Sequence, residues 1–177
     1  MECLHRRGYR REIAQAPLRE TFAAAVVLAV GWKGTEPVRD PMCGSGTIPI
    51  EAAMIARKIA PGIGRRFQFM DWPAFDLGRW NGILENAQAA VTDFSGEILG
   101  ADRDAGAVQA ATRNAERAGL SGDVRFSQAA VSGSIAEIDE SATESGLILP
   151  NPPYGVRVGE SDDLRNLYAT LGSALKC

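Results

Sequence analysis

Residues 36–56 read EPVRDPMCGSGTIPIEAAMIA and combine a short apolar segment, a loop with two glycines and a run of helical spacing. The spacing predicts a strand over 36–39, a turn around Gly44 and Gly46, and a helix over 47–56. A strand followed by a tight turn and a helix is a building unit of α/β folds. The segment therefore predicts a fold in which helices connect parallel strands.

The rest of the chain continues this alternation. Strands are predicted over 98–102, 124–128 and 147–149, and helices over 18–29, 105–118 and 162–175. Such an alternation implies parallel pairing with right-handed crossovers. In a sheet of this kind the ligand lies at the carboxyl ends of the strands, where the strand order reverses. We therefore expect the loops after the first and the fourth strand to face each other across one crevice.

The chain is long enough for one domain over 1–177, with a basic lead-in over 1–16 and an aromatic-rich insertion over 60–96. The insertion is predicted to hold a helix over about 84–91, and its aromatic side chains form either a small satellite core or a base-stacking platform. The composition, 45% hydrophobic and 23% charged, favours neither disorder nor a membrane protein. We therefore expect a cytoplasmic protein.

The charge distribution bears on nucleic-acid binding, and the cysteines bear on disulfides, metal sites and nucleophilic catalysis. The net charge of −3 argues against a protein that grips a polyanion over its whole surface, yet four of the first eleven residues are arginine. These arginines either contact phosphates locally or form a solvated basic tail. Three cysteines without paired spacing indicate neither disulfides nor a zinc site, and no metal is expected. Cys43 lies in the glycine loop and is interpreted as a space-filling residue, since no histidine lies nearby in the sequence to activate it.

The glycine loop alone is compatible with a phosphate, a dinucleotide or S-adenosylmethionine. Thr47 stands where a phosphate-binding loop needs Lys, and Pro49 stands where a dinucleotide-binding loop needs Gly or Ala. A carboxylate at Asp40 repels a pyrophosphate but attracts the ammonium of a methionine moiety. Asp102, which ends the next strand, can accept hydrogen bonds from both ribose hydroxyls; the alternative is a surface Asp102 beside a helix-capping Asp104. The balance favours S-adenosylmethionine.

The segment Asn151-Pro152-Pro153-Tyr154 follows the fourth strand and suits a nucleobase amine. Such an amine is a poor nucleophile because its lone pair is delocalised into the ring. The Asn151 amide oxygen and the Pro152 carbonyl can each accept one of its N–H groups, which aims the lone pair at a methyl donor. The prolines fix the backbone, and the Tyr154 ring offers a face on which a base stacks. The alternative is an ordinary proline-rich turn.

Over nearly its whole length the chain resembles the catalytic domain of the THUMP-associated RNA methyltransferases, especially the bacterial large-subunit ribosomal RNA guanine-N2 methyltransferases. The matching stretches are 4–10, 16–21, 40–47, 50–53, 61–62, 66–67, 72–73, 151–155, Arg157, Gly159, 167–168 and 171–172. The resemblance implies a Rossmann-like class I methyltransferase core with a parallel sheet flanked by helices, S-adenosylmethionine as methyl donor and structured RNA as acceptor.

The resemblance also implies site residues. Those expected at the cofactor are Asp40, Pro41, Cys43, Gly44, Ser45, Gly46, Thr47, Asp102, Arg103, Ala130 and Asn151. Those expected at the target base are Asn151, Pro152, Pro153 and Tyr154.

Three features depart from that family. Relatives carry an acid after the third strand for the adenine amino group, whereas this chain has Ala129 and Ala130, so we expect weak cofactor binding or adenine recognition by the backbone. Relatives also carry an RNA-binding THUMP domain upstream and further strands downstream. We therefore expect a fragment lacking its last strands. Its strand over 147–149 would then be an uncovered sheet edge that favours pairing with another chain, including a second copy.

The sequence thus predicts a methyltransferase that flips a guanine out of ribosomal RNA and methylates its N2 amine. Two alternatives remain at this point. One is adenine-N6 methylation of DNA or RNA, which uses the same acceptor geometry. The other is a truncated, non-catalytic scaffold that binds S-adenosylmethionine.

Overall fold

The computed structural model describes residues 6–11, 18–136, 146–153 and 161–174 of the chain. Within those ranges the elements are α1 (Glu20–Ala29), β1 (Val38–Asp40), α2 (Thr47–Ala56), a short 3-10 helix (Gln68–Asp71), α3 (Leu77–Ala89), β2 (Ile98–Asp102), α4 (Ala105–Arg117), β3 (Arg125–Gln128), α5 (Val131–Ala136), β4 (Leu147–Ile148) and α6 (Ser161–Ala174). In the described part of the chain no helix is long and apolar enough to span a bilayer.

The four strands form one parallel sheet in the order β3-β2-β1-β4. In the register Val38 lies opposite Ile98 on one side and opposite Leu147 on the other. This confirms the predicted α/β fold with a parallel sheet flanked by helices. The chain first moves from β1 to β2 and β3 and later returns to place β4 beside β1, so the strand order reverses between β1 and β4.

The core lies on one face of this sheet. Val38 and Ile98 are buried there beneath α2, nearly all of which is buried. Helix α1 packs on α2 and buries Ala23 and Val27, one helical turn apart, as expected for a helix buried on one side. The packing gives the glycine loop between β1 and α2 a rigid support at both ends.

Most predicted boundaries are confirmed to within two residues, but two helices differ. Helix α3 begins at Leu77, seven residues before the predicted 84, because the Asp76 carboxylate accepts a hydrogen bond from the Arg79 N–H (2.9 Å) and caps the helix. Helix α5 was not predicted at all. Its segment includes Ser132, Gly133 and Ser134, which are weak helix formers, so no local signal marks it.

The basic lead-in is partly a structural element. Arg10 pairs with the buried Glu20 of α1 at 3.1 Å, and Arg7 pairs with the buried Glu51 of α2 at 3.4 Å. The Tyr9 hydroxyl donates to the same Glu51 carboxylate at 3.0 Å. Arg7 and Arg10 therefore belong neither to a solvated tail nor to a phosphate-binding site. Their guanidinium groups neutralise buried glutamates of the domain. His5 lies outside the described residues.

We predict that Arg7→Ala lowers the free energy of unfolding by about 3 kcal/mol, because removing one partner of a buried pair leaves the other uncompensated. Burial already raises the pKa of Glu51, and Arg7 is the cation that opposes this shift. Arg11→Ala, at an exposed position of the same segment, is the matched control and should change stability little. Urea denaturation of both variants measures the difference, and equal values would contradict the structural role of Arg7.

Candidate active site

The loops that follow β1 and β4 leave the same edge of the sheet. The Leu149 N–H donates to the Arg39 carbonyl at 2.9 Å, so β4 runs alongside β1 up to this edge. Asp40 is the last residue of β1, and Asn151 lies two residues beyond Leu149. Asp40 and Asn151 therefore stand at the carboxyl ends of adjacent parallel strands, as expected for a crevice at the reversal of strand order.

The glycine loop is held by backbone contacts to β2. The Cys43 N–H donates to the Ala101 carbonyl at 2.9 Å, and the Gly46 N–H returns to the Cys43 carbonyl at 2.8 Å. The Gly44 N–H donates to a carboxylate oxygen of Asp102 at 2.9 Å. The loop that begins after Asp40 is thus hydrogen-bonded to Asp102, so it connects the two acids of the predicted site. Pro41, Ser45 and Thr47 are buried in its base.

Asn114 of α4 supports this loop and was not identified from the sequence. Its side-chain N–H donates to the Ser45 carbonyl at 3.1 Å, and the residue is fully buried. On α4 it follows Ala107, Ala110 and Ala111 on the buried face. One amide on an otherwise apolar helical stripe is the signal that could have revealed it, because a buried amide needs a partner.

Gly46 cannot carry a side chain in this loop. Its φ is +82°, and a Cβ would lie 2.9 Å from both the Ala111 Cβ and the Phe126 ring. We predict that Gly46→Ala destabilises the domain by about 3 kcal/mol, through left-handed strain and overpacking. Gly119→Ala is the control, because its φ is +72° but nothing lies within 4 Å, and strain alone should cost it about 1 kcal/mol. Thermal unfolding of both variants checks this, and equal losses would contradict the steric role.

The Asp40 carboxyl is electrostatically unusual. It is buried, and it accepts a hydrogen bond from the Met42 N–H at 3.1 Å. Burial, reinforced by the nearby Asp102 carboxylate, raises its pKa to about 7, although the Met42 N–H opposes the shift. Among the described residues no cation pairs with it. A ligand with a cationic group at the end of β1 would therefore neutralise the buried Asp40 carboxylate and favour its ionised form.

Asp102 is half-buried and already oriented. One carboxylate oxygen accepts from Gly44 and the other from the Asp104 N–H at 3.0 Å. Each oxygen retains a further lone pair for a ligand hydroxyl. Asp104 itself caps α4 by accepting from the Gly106 N–H at 2.7 Å. The capping interpretation is thus confirmed for Asp104, whereas Asp102 is not a free surface residue.

Cys43 fills space, as expected. Burial raises the pKa of its thiol far above the usual value, with Asp40 and Asp102 adding to the shift. Its Cβ also lies 3.2 Å from the place where a Cβ on Gly100 would stand. A protonated, packed thiol is a poor nucleophile.

The segment after β4 is available to a ligand. Asn151, Pro152 and Pro153 are half-buried, and within the described ranges the Asn151 amide makes no hydrogen bond. The Tyr168 hydroxyl of α6 donates to the Pro153 carbonyl at 3.3 Å and steadies the segment. Nothing in the local sequence linked Tyr168 to it. Tyr154, the predicted stacking residue, lies outside the described residues, as do Arg157 and Gly159.

The end of β3 carries alanines where relatives have an acid for the adenine amino group. Ala130 is exposed, and its carbonyl accepts from the Ser134 N–H at 2.9 Å at the start of α5. The Gln128 side chain donates to the Arg103 carbonyl at 3.1 Å and so connects the ends of β3 and β2. Arg103 and Ala130 therefore have backbone groups at this edge, and recognition of adenine by the backbone stays a prediction.

The comparison with protein families matches residues 7–177 to the RMKL-like methyltransferase domain. Ribosomal RNA large subunit methyltransferase K/L of Vibrio parahaemolyticus is 43% identical over 179 residues, which cover 98% of this chain and 25% of the relative. The protein of the same name from Syntrophotalea carbinolica is 41% identical over 184 residues, covering 99% of this chain and 26% of the relative. The chain thus spans about a quarter of these two curated relatives.

Solved structures agree with the fold. SMU.472, crystallised in complex with SAH, superposes with a TM-score of 0.87 at 36% identity, covering 97% of this chain and 44% of that one. A chain described as a predicted N6-adenine-specific DNA methylase from Listeria monocytogenes gives 0.86 at 39% identity, covering 96% of this chain and 44% of its own. At this identity and coverage the likeness establishes the fold.

Proposed function

Because the chain belongs to the family of RMKL-like methyltransferase domains, we propose that it methylates the exocyclic N2 amine of a guanine in ribosomal RNA, with S-adenosylmethionine as donor. The observation that carries the proposal is the pairing of β1 with β4. It puts Asp40 and Asn151 at one edge of the sheet, so that a donor held by the first loop and an acceptor held by the second would meet between them.

The residues at the end of β1 suit the donor. The buried Asp40 carboxyl has no cationic partner among the described residues, and the ammonium of a methionine moiety would compensate it. Asp102 would accept from the ribose hydroxyls with its remaining lone pairs. When bound, S-adenosylmethionine supplies an electrophilic methyl group on a sulfonium. The backbone around Gly44 would approach it closely, because no Cβ intervenes there.

The residues after β4 suit the acceptor. The Asn151 amide oxygen and the Pro152 carbonyl would each accept one N–H of the target amine. This rotates the nitrogen lone pair out of the ring plane and toward the methyl group. Tyr154 would stack on the flipped base. A strong general base is unnecessary, because the methylated nitrogen is acidic enough to release its proton to water.

Adenine N6 is the second candidate target, since the Listeria relative is described as a predicted N6-adenine-specific DNA methylase. The acceptor geometry is the same for both amines, so product analysis must distinguish them. The chain is incubated with tritiated S-adenosylmethionine and either unmodified large-subunit ribosomal RNA or duplex DNA, and the nucleosides are then separated. N2-methylguanosine from RNA supports the proposal. Label in adenosine or deoxyadenosine would replace it with the second candidate.

A matched binding experiment addresses the non-catalytic scaffold. Calorimetry with S-adenosylmethionine should give a measurable heat, and the same preparation should transfer methyl groups. Binding without transfer to any nucleic acid would support the scaffold. Because the chain spans a fraction of its relatives, we also propose that RNA capture in the whole protein is aided by an RNA-binding domain outside this chain. We further propose that β4, an edge strand of the sheet that the described residues form, pairs with another chain, including a second copy.

A further inference from the structure

The insertion carries a cluster of aromatic rings with little core beneath it. The rings of Phe67 and Phe69 stack with centroids 5.4 Å apart, and Phe69 also meets Trp80 at 5.4 Å and Phe75 at 6.0 Å. Helix α3, which supplies Trp80, buries none of its residues. Trp72 lies beside this cluster with 65% of its surface exposed. The rings therefore hold one another in place while leaving large apolar faces open.

These side chains line a cavity of about 290 Å³ that is open to the surface. Its walls include Phe69, Trp72, Phe75, Asp76, Arg79 and Trp80. Ligand pockets usually run from roughly 300 to 1,000 Å³, so this one is at the small end. That size suits a single flat ring system better than a helix or a strand from another protein.

Two polar groups on the wall indicate what kind of ring fits. Arg79 is exposed, and its guanidinium has no ion pair or hydrogen-bond partner within the described ranges. Asp76 uses one carboxylate oxygen to cap α3 and keeps the other for a ligand. A donor and an acceptor beside aromatic faces match the edge of a nucleobase, and the arginine also matches its phosphate.

We propose that this aromatic cavity binds one unpaired base of the RNA substrate, at a nucleotide other than the methylated one. The insertion starts only after α2 has carried the chain away from the glycine loop, and the cavity shares no residue with the crevice between β1 and β4. The inference rests on the proposed function, because it takes RNA as the acceptor. In this proposal the insertion is a second binding site for the RNA that the crevice methylates.

The test measures binding of a fluorescent single-stranded RNA of about 12 nucleotides, a length in the range that stacking proteins cover. Trp72→Ala should weaken binding roughly 5- to 150-fold, the loss expected when one stacked base is released, and Trp72→Phe should retain most of it. Leu77→Ala is the matched control, because Leu77 is 62% exposed on the same insertion but does not line the cavity. Arg79→Ala should reduce the salt dependence of binding by about one phosphate contact.

Melting curves of each variant confirm that folding is intact, as expected for an exposed Trp72. If Trp72→Ala binds RNA as tightly as Leu77→Ala, the proposal is wrong. It is equally wrong if Trp72→Ala changes only self-association, seen by sedimentation, because the patch would then be a protein interface. Methyl transfer is read separately on ribosomal RNA. There Trp72→Ala should raise KM and leave kcat unchanged, whereas failure of the proposed function would show as no transfer by the unmodified chain to any RNA.

Discussion

Asn151→Ala should lower turnover by about a hundredfold or more, the loss typical when one preorganised polar group is removed from a reacting centre. The amide oxygen is the only side-chain acceptor that Asn151-Pro152-Pro153 offers to the target amine. Without it the nitrogen lone pair stays conjugated with the base. The affinity for S-adenosylmethionine should change little, because Asp40 and Asp102 remain. Single-turnover rates and calorimetry measure the two quantities.

Asn86→Ala provides the matched control for that experiment, because it removes an exposed amide on α3. It should leave turnover and binding unchanged. Turnover of Asn151→Ala within a few fold of this control would show that the amide does not orient the amine. A loss of cofactor binding equal to the loss of turnover would instead assign Asn151 to the donor side of the crevice.

Asp40→Asn should weaken S-adenosylmethionine binding roughly 10- to 150-fold, as expected when a charge-assisted hydrogen bond of about 1.5–3 kcal/mol is lost. The amide keeps an acceptor for the Met42 N–H but no longer offers a charge to an ammonium. Asp93→Asn, at an exposed position, is the control and should bind normally. Unchanged affinity in Asp40→Asn would remove Asp40 from the donor site.

The same carboxyl predicts an unusual dependence of stability on pH. Its pKa rises from 3.8 in an unfolded chain to about 7 in the folded one, so the folded protein binds more protons between those values. Its contribution to stability is fully present below about pH 3.8 and is lost as the pH rises through about 7. The unliganded protein should therefore lose stability from this group as the pH rises from about 3.8 to about 7, the window set by the two pKa values.

Asp40→Asn should remove that component, so the variant should melt higher than the unchanged protein at pH 8 while binding the cofactor less well. Cofactor binding should also release a proton near neutral pH, because an ammonium favours the ionised carboxyl. Calorimetry in buffers of different ionisation enthalpy measures this release. A melting difference that does not depend on pH would contradict the assignment of the shifted group.

Local patterns predicted the elements that organise the crevice. Strand β2 was predicted at its observed bounds, because an uninterrupted apolar run ends at Asp102 and the helix cap Asp104 follows two residues later. Strand β1 runs over Val38–Asp40 rather than 36–39, since Pro37 has no N–H for the ladder and Asp40 remains paired with β2. A general rule of parallel sheets predicted a ligand crevice where the strand order reverses. That β1 and β4 are the neighbours there was an assumption, which the pairing of these strands confirms.

Contacts between residues far apart in the chain could not be predicted this way. The Asn114 amide reaches Ser45 across 69 residues, and Tyr168 reaches Pro153 from another element. Arg7 looked like a tail residue because its partner Glu51 lies in a helix 44 positions later. The site residues themselves stay predictions, since what tests them is a bound ligand or a kinetic measurement rather than a backbone pattern.

The pairing of the lead-in with buried acids affects how the domain can be shortened. An expression clone that starts at Leu18 would keep all the strands and helices of the described residues yet remove both Arg7 and Arg10. Glu20 and Glu51 would then sit inside the helical layer without counterions. Such a trimmed protein should be less stable and poorly soluble, because two buried carboxylates are left without their cations. Useful boundaries for crystallisation therefore lie before Arg7.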